Sequence, residues 1–194
     1  MYFDAVTIGA LVAELNDRLG GGRIQDSVQI DAESFGLEVY AHRERHYLLL
    51  SANQQYPRVL LSAEKLRRGA PKPSPLGLLL RRYAEGARID AVRQPAWERL
   101  IFFDLDGPEG VFTLIVEPME RRANLLLVRA DGVIADCVRR VGPEENRVRV
   151  SLPGHPYEPP PPQKLKREPQ ALTLTLLGDL LDSMAKKRLA LNKA

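Results

Sequence analysis

The segment PAWERLIFF (residues 95–103) sets an acid and a base, Glu98 and Arg99, between Trp97 and a run of strand-forming apolar residues. Neighbouring side chains on a β-strand point to opposite faces, so an ion pair between Glu98 and Arg99 is a poor explanation of this pattern. Arginine carries a fork of donors that suits phosphates and base edges. We therefore expect at least one of the two charges to face a partner outside the chain.

Other basic residues are also unevenly distributed, although the formal net charge is only +3. Eight basic residues and three acids lie between positions 64 and 93, and seven arginines and four acids between 121 and 150. Within the first region, Arg81 and Arg82 follow a proline loop and lie off the apolar stripe of a predicted helix. We expect one of them to contact a partner outside the chain; the alternatives are that Arg81 pairs with Glu85, and that arginine replaces lysine through genome composition.

The residue types needed for catalysis or metal binding do not come together in the sequence. Cys137 is the only cysteine, so no disulfide framework or thiol-based metal site is expected. His42 and His46 are four residues apart on a strand pattern, where that spacing does not converge on a metal. No catalytic carboxylate pair, nucleophile elbow or phosphate loop is visible. The sequence favours a binding protein without enzymatic activity, metal or cofactor.

The apolar patterning predicts an α+β fold in which an antiparallel β-sandwich is flanked by two helices. The first helix is expected to be capped by Thr7 and to end at the glycines 20–22. The second begins after the proline loop, with Leu76, Leu79, Leu80 and Tyr83 on one stripe. Strands are predicted at 23–30 (with Ile24, Val28 and Ile30 on one face), 35–41, 46–52, 58–62, 88–94, 99–105, 111–117, 123–128, 132–138 and 146–152.

Composition also predicts the domain organisation and the compartment. Residues 1–160 are expected to form one domain, 161–170 a proline-rich linker, and 171–194 the start of a further helical domain that is cut short. No run of about 18 apolar residues predicts a transmembrane helix, and the N-terminus does not resemble a signal peptide. We therefore expect a cytoplasmic protein with no membrane partner.

Six segments, in order, resemble the N-terminal domain of the NFACT family, also known as the fibronectin-binding protein A N-terminal domain. They span most of residues 1–162 and are ELNDRLGGGRI (14–24), YLLLSANQQYPRV (47–59), LLLRRYAEGARI (78–89), AWERLIFF (96–103), VEPMERRANLLLV (116–128) and SLPGHPYEPPPP (151–162). The region from 170 resembles the start of the helix-hairpin-helix part of this family. Six segments in family order are specific, whereas one alone is weak.

The resemblance implies the RqcH family of bacterial ribosome quality-control factors. Such proteins bind tRNA, with alanine tRNA expected here, and the large ribosomal subunit carrying a stalled nascent chain, and they promote alanine tailing. The fold is similar to the N-terminal domain of formamidopyrimidine-DNA glycosylases, which begin with a proline amine followed by glutamate. Tyr2 and Phe3 follow the initiator here, so glycosylase chemistry is not expected. The older family name implies an alternative function, a surface adhesin that binds fibronectin.

The resemblance also implies roles for particular residues. The family has an Asp-Arg pair where this chain has Glu98 and Arg99, and that pair resembles a contact to a tRNA anticodon loop. Trp97 is expected either to stack on a base or to lie in a core or interface. The family's Gly-Arg-His-Ser-Asn run matches ERRAN (120–124) at Arg121 and Asn124, which are therefore also predicted to bind tRNA. One of Arg81 and Arg82 is expected to contact the RNA backbone.

Overall fold

The computed structural model describes residues 4–161 and residue 182. The chain divides into two compact units, Met1–Gln163 and Lys164–Ala194, and the nine-stranded fold belongs to the first. The predicted helix at 171–194, and all of the predicted linker except position 161, therefore lie outside the described residues, apart from residue 182.

The first helix, α1 (Ala5–Leu19), begins one turn earlier than the sequence suggests. Its N-cap is Asp4, whose Oδ1 accepts the backbone N–H of Thr7 at 2.7 Å, so the prediction that Thr7 caps the helix is wrong. The buried side chains of Ile8, Leu15 and Leu19 attach α1 to the core. The helix ends at Gly20, as predicted, and the turn that follows leads directly into the first strand.

Nine strands hydrogen-bond side by side in the order β4-β3-β2-β1-β5-β6-β7-β8-β9, and every pairing is antiparallel. Nine of the ten strand patterns recognised in the sequence correspond to one of these strands. Their bounds are β1 (Arg23–Gln29), β2 (Ser34–Ala41), β3 (Glu44–Ser51), β4 (Arg58–Ser62), β5 (Arg88–Arg93), β6 (Ile101–Gly107), β7 (Gly110–Glu117), β8 (Asn124–Arg129) and β9 (Ile134–Cys137).

The pairing of β1 with β5 corrects the predicted architecture. These two strands join the halves of the sheet through a short ladder centred on Arg23 and Arg88, so the strands form one continuous sheet instead of the separate sheets of a sandwich. Side chains from both halves, such as Leu37 and Leu114, belong to one apolar core with the helices. The α+β class, the antiparallel pairing and the two flanking helices within the described residues are confirmed.

A β-bulge in β1 corrects the predicted face of that strand. The pairing register with β2 shifts between Ile24 and Asp26, which reverses the alternation for the residues that follow. Ile24 is buried in the core, but Val28 lies on the other face of the sheet, where it contacts the position of Gly36. The interruption at Asp26 that the sequence shows is the site of this shift.

The second helix, α2 (Pro75–Tyr83), follows its sequence signals. Ser74 caps it by accepting the Gly77 N–H at 3.1 Å, and proline occupies the first position, where its missing N–H costs nothing. Leu76 and Leu80 are buried, and Leu79 and Tyr83 pack against the core, which confirms the predicted stripe.

The segment at 146–152 does not form the predicted last strand. Within this segment only Ser151 forms a β-bridge, an isolated antiparallel one to Val141. Arg149 instead turns inward and donates to both carboxylate oxygens of Glu117 at the end of β7. Glu117 is fully buried and also accepts the hydroxyl of Tyr157 at 3.0 Å. This buried ion pair replaces the strand pairing and holds the segment against the sheet.

Candidate nucleic-acid interface

The Glu98-Arg99 pair lies in the turn before β6, not on the strand itself, because β6 begins only at Ile101. The Glu98 N–H donates to the Pro95 carbonyl at 2.9 Å, and Trp97 adopts a left-handed backbone conformation with φ of 55°. The side-chain amide of Gln94 donates to the carbonyls of Glu98 and of Ala5 in α1. The turn is therefore fixed to the start of α1.

Arg99 lines a groove of about 890 Å³. The groove runs along β4, which is one of the two edge strands of the sheet. We call it the β4 groove. One wall is α1, another is the loop before β4 and β4 itself, and a third is the segment that follows β7. Its lining residues are Thr7, Ala10, Leu11, Glu14, Gln54, Gln55, Tyr56, Pro57, Arg58, Val59, Leu60, Leu61, Arg99, Pro118, Glu120 and Arg121.

The arginines of the β4 groove form no ion pair with a carboxylate of the described residues. Within residues 4–161, nine of the nineteen arginines form such pairs, and Arg58, Arg99 and Arg121 are among the ten that form none. Of the two carboxylates that line the groove, Glu14 is already paired with an arginine of its own helix at 3.4 Å. The groove thus combines an apolar lining with guanidinium groups that can bind an anion.

The loop before β4 presents an aromatic ring at this groove. Asn53 Oδ1 accepts the backbone N–H groups of Gln55 and Tyr56, both at 3.0 Å, and its amide donates to Glu33 at 2.9 Å. This turn holds the backbone of Tyr56 in place, while the side chain stays 67% exposed. Exposed aromatic rings beside basic residues are stacking platforms for unpaired bases.

A short 3₁₀ turn (Glu120–Arg122) forms the wall of the groove after β7. The guanidinium of Arg139 donates to the Arg121 carbonyl and so supports the turn from behind. Asn124 is buried, and its side chain forms two hydrogen bonds with the backbone of Arg139. Its Nδ2 donates to the Arg139 carbonyl and its Oδ1 accepts the Arg139 N–H, each at 2.9 Å. Asn124 therefore positions the turn, and it does not line the β4 groove.

The structure does not bring the seven predicted site residues together. Arg99 and Arg121 line the β4 groove, and Trp97 and Glu98 lie in the turn that carries Arg99. Three others lie elsewhere: the structural Asn124, and the two arginines of α2, which is not part of the groove wall. Arg82 pairs with Glu109 at 3.1 Å, and this bond raises the pKa of its guanidinium.

Arg81 forms no ion pair within the described residues. Glu85, its partner in the alternative interpretation, instead accepts the N–H and hydroxyl of Ser27 at 3.1 and 2.8 Å, so the Arg81–Glu85 pair is absent from this part of the chain. Arg81 lies beside Arg68 at a narrow cleft between α2 and β1. A backbone contact by Arg81 stays a prediction, as do the RNA contacts of the other named residues.

Sequence reasoning missed Tyr56 and Arg58. Both fall in the segment NQQYPR, in which an asparagine that can form a side-chain turn precedes an aromatic residue and an arginine. That pattern was visible in the sequence as a turn that carries an aromatic residue and a basic residue. Only the fold, however, shows that it faces the same groove as Arg99 and Arg121.

A sequence model of the NFACT N-terminal and middle domains matches residues 4–192. The chain belongs to the NFACT family. The Rqc2 homolog RqcH of Streptococcus suis is 34% identical over 168 residues, which are 83% of this chain and 30% of that protein. The Rqc2 homolog RqcH of Bacillus subtilis is 32% identical over 169 residues, 84% of this chain and again 30% of that protein.

Solved structures of NFACT relatives share the fold. The N-terminal domain of the fibronectin-binding protein PavA from Streptococcus pneumoniae superposes with a TM-score of 0.81 at 29% identity, over 93% of this chain and 69% of that chain. The N-terminal part of the fibronectin/fibrinogen-binding protein of Streptococcus suis gives a TM-score of 0.78 at 33% identity, over 84% of this chain and 62% of that chain. The predicted membership of the RqcH family is confirmed.

This NFACT chain spans 30% of the length of these two RqcH relatives. Within its described residues no helix has the length and apolar character needed to cross a membrane. The likeness to the glycosylase domain, the domain boundaries and the absence of enzymatic activity stay predictions.

Proposed function

We propose that the β4 groove binds the unpaired loop of a tRNA, within a factor that acts in ribosome quality control. The observation that carries this proposal is the set of three arginines, Arg58, Arg99 and Arg121, that face an apolar groove without a carboxylate partner in the described residues. Arginine without an internal partner offers its donor fork to phosphate. An unpaired loop also supplies bases that can leave the stack and enter an apolar groove.

Each element of the groove has a role in this proposal. The three arginines contact the phosphates, and Tyr56 supplies a ring on which a loop base stacks. Glu98, carried on the same turn as Arg99, accepts from the exocyclic amine of a base and contributes selectivity. This chain has glutamate where the family has aspartate, so its carboxylate reaches one methylene further toward the base.

The wider function rests on the relatives named Rqc2 homolog RqcH. We propose that the complete factor binds alanine tRNA and the large ribosomal subunit carrying a stalled nascent chain, and promotes alanine tailing in the cytoplasm. The part of the chain that the structure describes serves as the tRNA-binding module and carries out no chemical step. Its contribution is affinity and selection.

Binding of labelled RNA stem-loops to the chain tests the groove assignment. Replacing Arg99 and Arg121 together by glutamine should weaken binding to the anticodon arm of alanine tRNA and flatten its salt dependence, by about 0.7 in slope for each phosphate of an unpaired strand that is no longer neutralised. The control is Arg43→Gln, which removes one exposed charge from the β2–β3 turn, outside the groove. Equal affinity and equal slope in the double variant and the control would refute the assignment.

Fibronectin binding is a second candidate function, favoured by the solved relatives that are named fibronectin-binding proteins. A protein ligand and an RNA loop make different demands on the groove. Immobilised fibronectin should retain the chain if this function is present, and that binding would not be competed by the tRNA arm unless both ligands use the same arginines. Retention with an affinity above that for the tRNA arm would favour the adhesin.

A further inference from the structure

A second cavity, of about 330 Å³, lies on the other side of the 3₁₀ turn that walls the β4 groove. We call it the Arg122 pocket. Successive residues of the turn face different cavities: Glu120 and Arg121 line the β4 groove, whereas Arg122 lines the pocket. The pocket is lined by Glu117, Arg122, Asn124, Arg139, Val141, Glu145, Asn146, Arg149 and Ser151. One short turn therefore separates two basic cavities.

The carboxylates of the Arg122 pocket are already paired. Glu117 is fully buried and bound by Arg149, which leaves neither charge available to a ligand. Glu145 accepts from Arg139 at 3.2 Å on the exposed rim. Arg122 is exposed and forms no ion pair within residues 4–161. The pocket thus carries one positive charge that no carboxylate of this part of the chain neutralises, and that charge belongs to Arg122.

Asn146 and Arg139 line the same pocket as Arg122. Asn146 Oδ1 accepts the N–H groups of Val148 and Arg149 at 3.0 and 3.2 Å, which orients its amide and directs its own NH₂ donors away from that turn. Arg139 is held by the Arg121 carbonyl and by Glu145, so its guanidinium plane is fixed at the pocket wall. An anion beside Arg122 therefore meets donors that are already in position.

We propose that the Arg122 pocket binds a phosphodiester of the same RNA strand whose unpaired nucleotides occupy the β4 groove. This inference rests on the proposed function and assigns a new subsite to it. Arg121 and Arg122 are consecutive in the chain but line cavities on the two sides of one turn. Their guanidinium groups can therefore hold two phosphates of one strand that crosses the turn between them.

Arg122 is a departure from the family pattern within the ERRAN run, because that pattern has histidine at this position. Histidine is largely neutral at neutral pH, whereas arginine stays charged. The subsite in this protein should therefore bind phosphate with little change between about pH 6 and pH 8. A carboxylate-bearing peptide is the alternative ligand for such a pocket, and RNA with neutral linkages separates the two.

The test compares Arg122→Gln with Arg43→Gln in salt titrations of binding to the alanine tRNA anticodon arm. Neither side chain forms an ion pair or hydrogen bond within residues 4–161, so both variants should unfold at the same denaturant concentration as the parent chain. We expect Arg122→Gln to weaken binding about tenfold and to lower the salt slope by about 0.7, and Arg43→Gln to do neither. A second arm uses RNA in which single phosphates are replaced by neutral methylphosphonates.

The methylphosphonate arm identifies the ligand atom. One methylphosphonate position should weaken binding to the parent chain but leave binding to Arg122→Gln unchanged. No other position should show this combination. If Arg99 and Arg121 variants weaken binding while Arg122→Gln behaves as Arg43→Gln, the subsite is overturned and the proposed function stands. If the parent chain does not bind the RNA, both are overturned. A loss of binding in Arg122→Gln that no methylphosphonate reproduces would also contradict a phosphate ligand.

Discussion

Replacing Glu117 by alanine should destabilise the fold more than any single substitution at the protein surface. The Glu117 carboxylate is 0% exposed and the Arg149 side chain only 14% exposed. Burial opposes the charge of Arg149, yet its hydrogen bonds to Glu117 and the charge of that carboxylate raise the pKa of Arg149 above its ordinary value. Arg149 therefore stays charged, and Glu117→Ala leaves a buried cation without its carboxylate, in contact only with the Glu158 carbonyl and the Tyr157 ring. The expected cost is about 3–5 kcal/mol of unfolding free energy.

Two companion variants separate the charge from the packing. Tyr157→Phe removes one hydrogen bond to the carboxylate, which is expected to cost about 1.5–3 kcal/mol. The double change Glu117→Leu with Arg149→Met removes both charges at similar volume and should be less destabilising than Glu117→Ala alone. An exposed pair, Arg129 with Asp131, is the control: its side chains are 51% and 57% exposed, and Arg129→Gln, which leaves the hydrogen bond from the Val133 N–H to Asp131 in place, should cost under about 1 kcal/mol.

Urea unfolding followed by circular dichroism measures these costs, provided that the m-value is unchanged across the series. The expected order of destabilisation is Glu117→Ala, then Tyr157→Phe, then the exposed control. A cost below about 1 kcal/mol for Glu117→Ala would refute the reasoning, because the carboxylate would then not be needed to neutralise Arg149. A double variant that is less stable than Glu117→Ala would refute it as well, since removing the second charge should relieve the penalty.

Two further predictions concern a helix cap and a buried thiol. Asp4→Ala removes the acceptor for the Thr7 N–H and should cost about 0.5–2 kcal/mol, whereas Asp4→Ser should restore most of that, as thermal unfolding would show; an unchanged Tm in Asp4→Ala would contradict the cap. Burial raises the pKa of Cys137 to about 12, so the folded state keeps a proton that the unfolded state loses from about pH 9, and stability should fall as the pH rises from 9 towards 12. Cys137→Ala should flatten that fall, and an identical pH profile would contradict the buried neutral thiol.

The sequence predicted the elements of the fold better than their assembly. The apolar stripe of α2 depends on residues within one or two turns, so local patterns suffice. The single sheet depends on the pairing of Arg23 with Arg88, two positions far apart in sequence, and no local pattern specifies such a contact. The bulge in β1 has a local signal, the polar Asp26, but periodicity alone cannot tell an interruption from a change of face.

The candidate site was predicted only in part for the same reason. Arg99 has an unusual local setting and Arg121 matches the family's Gly-Arg-His-Ser-Asn run, and both line the β4 groove. Asn124 was expected to bind RNA, yet its side chain is used within the fold to position Arg139. The groove itself consists of four separate stretches of chain around positions 7–14, 54–61, 99 and 118–121, so its existence follows from tertiary packing.

Photo-crosslinking of the alanine tRNA anticodon arm to the chain, followed by peptide mapping, tests the central claim most directly. A photoreactive uridine placed at each loop position in turn should crosslink to residues 7–14, 54–61, 99 and 118–121, the walls of the β4 groove. Arg99→Gln with Arg121→Gln should remove those crosslinks, and Arg43→Gln should preserve them. Crosslinks that map to α2 and its preceding loop, with none in the groove, would contradict tRNA binding by the β4 groove.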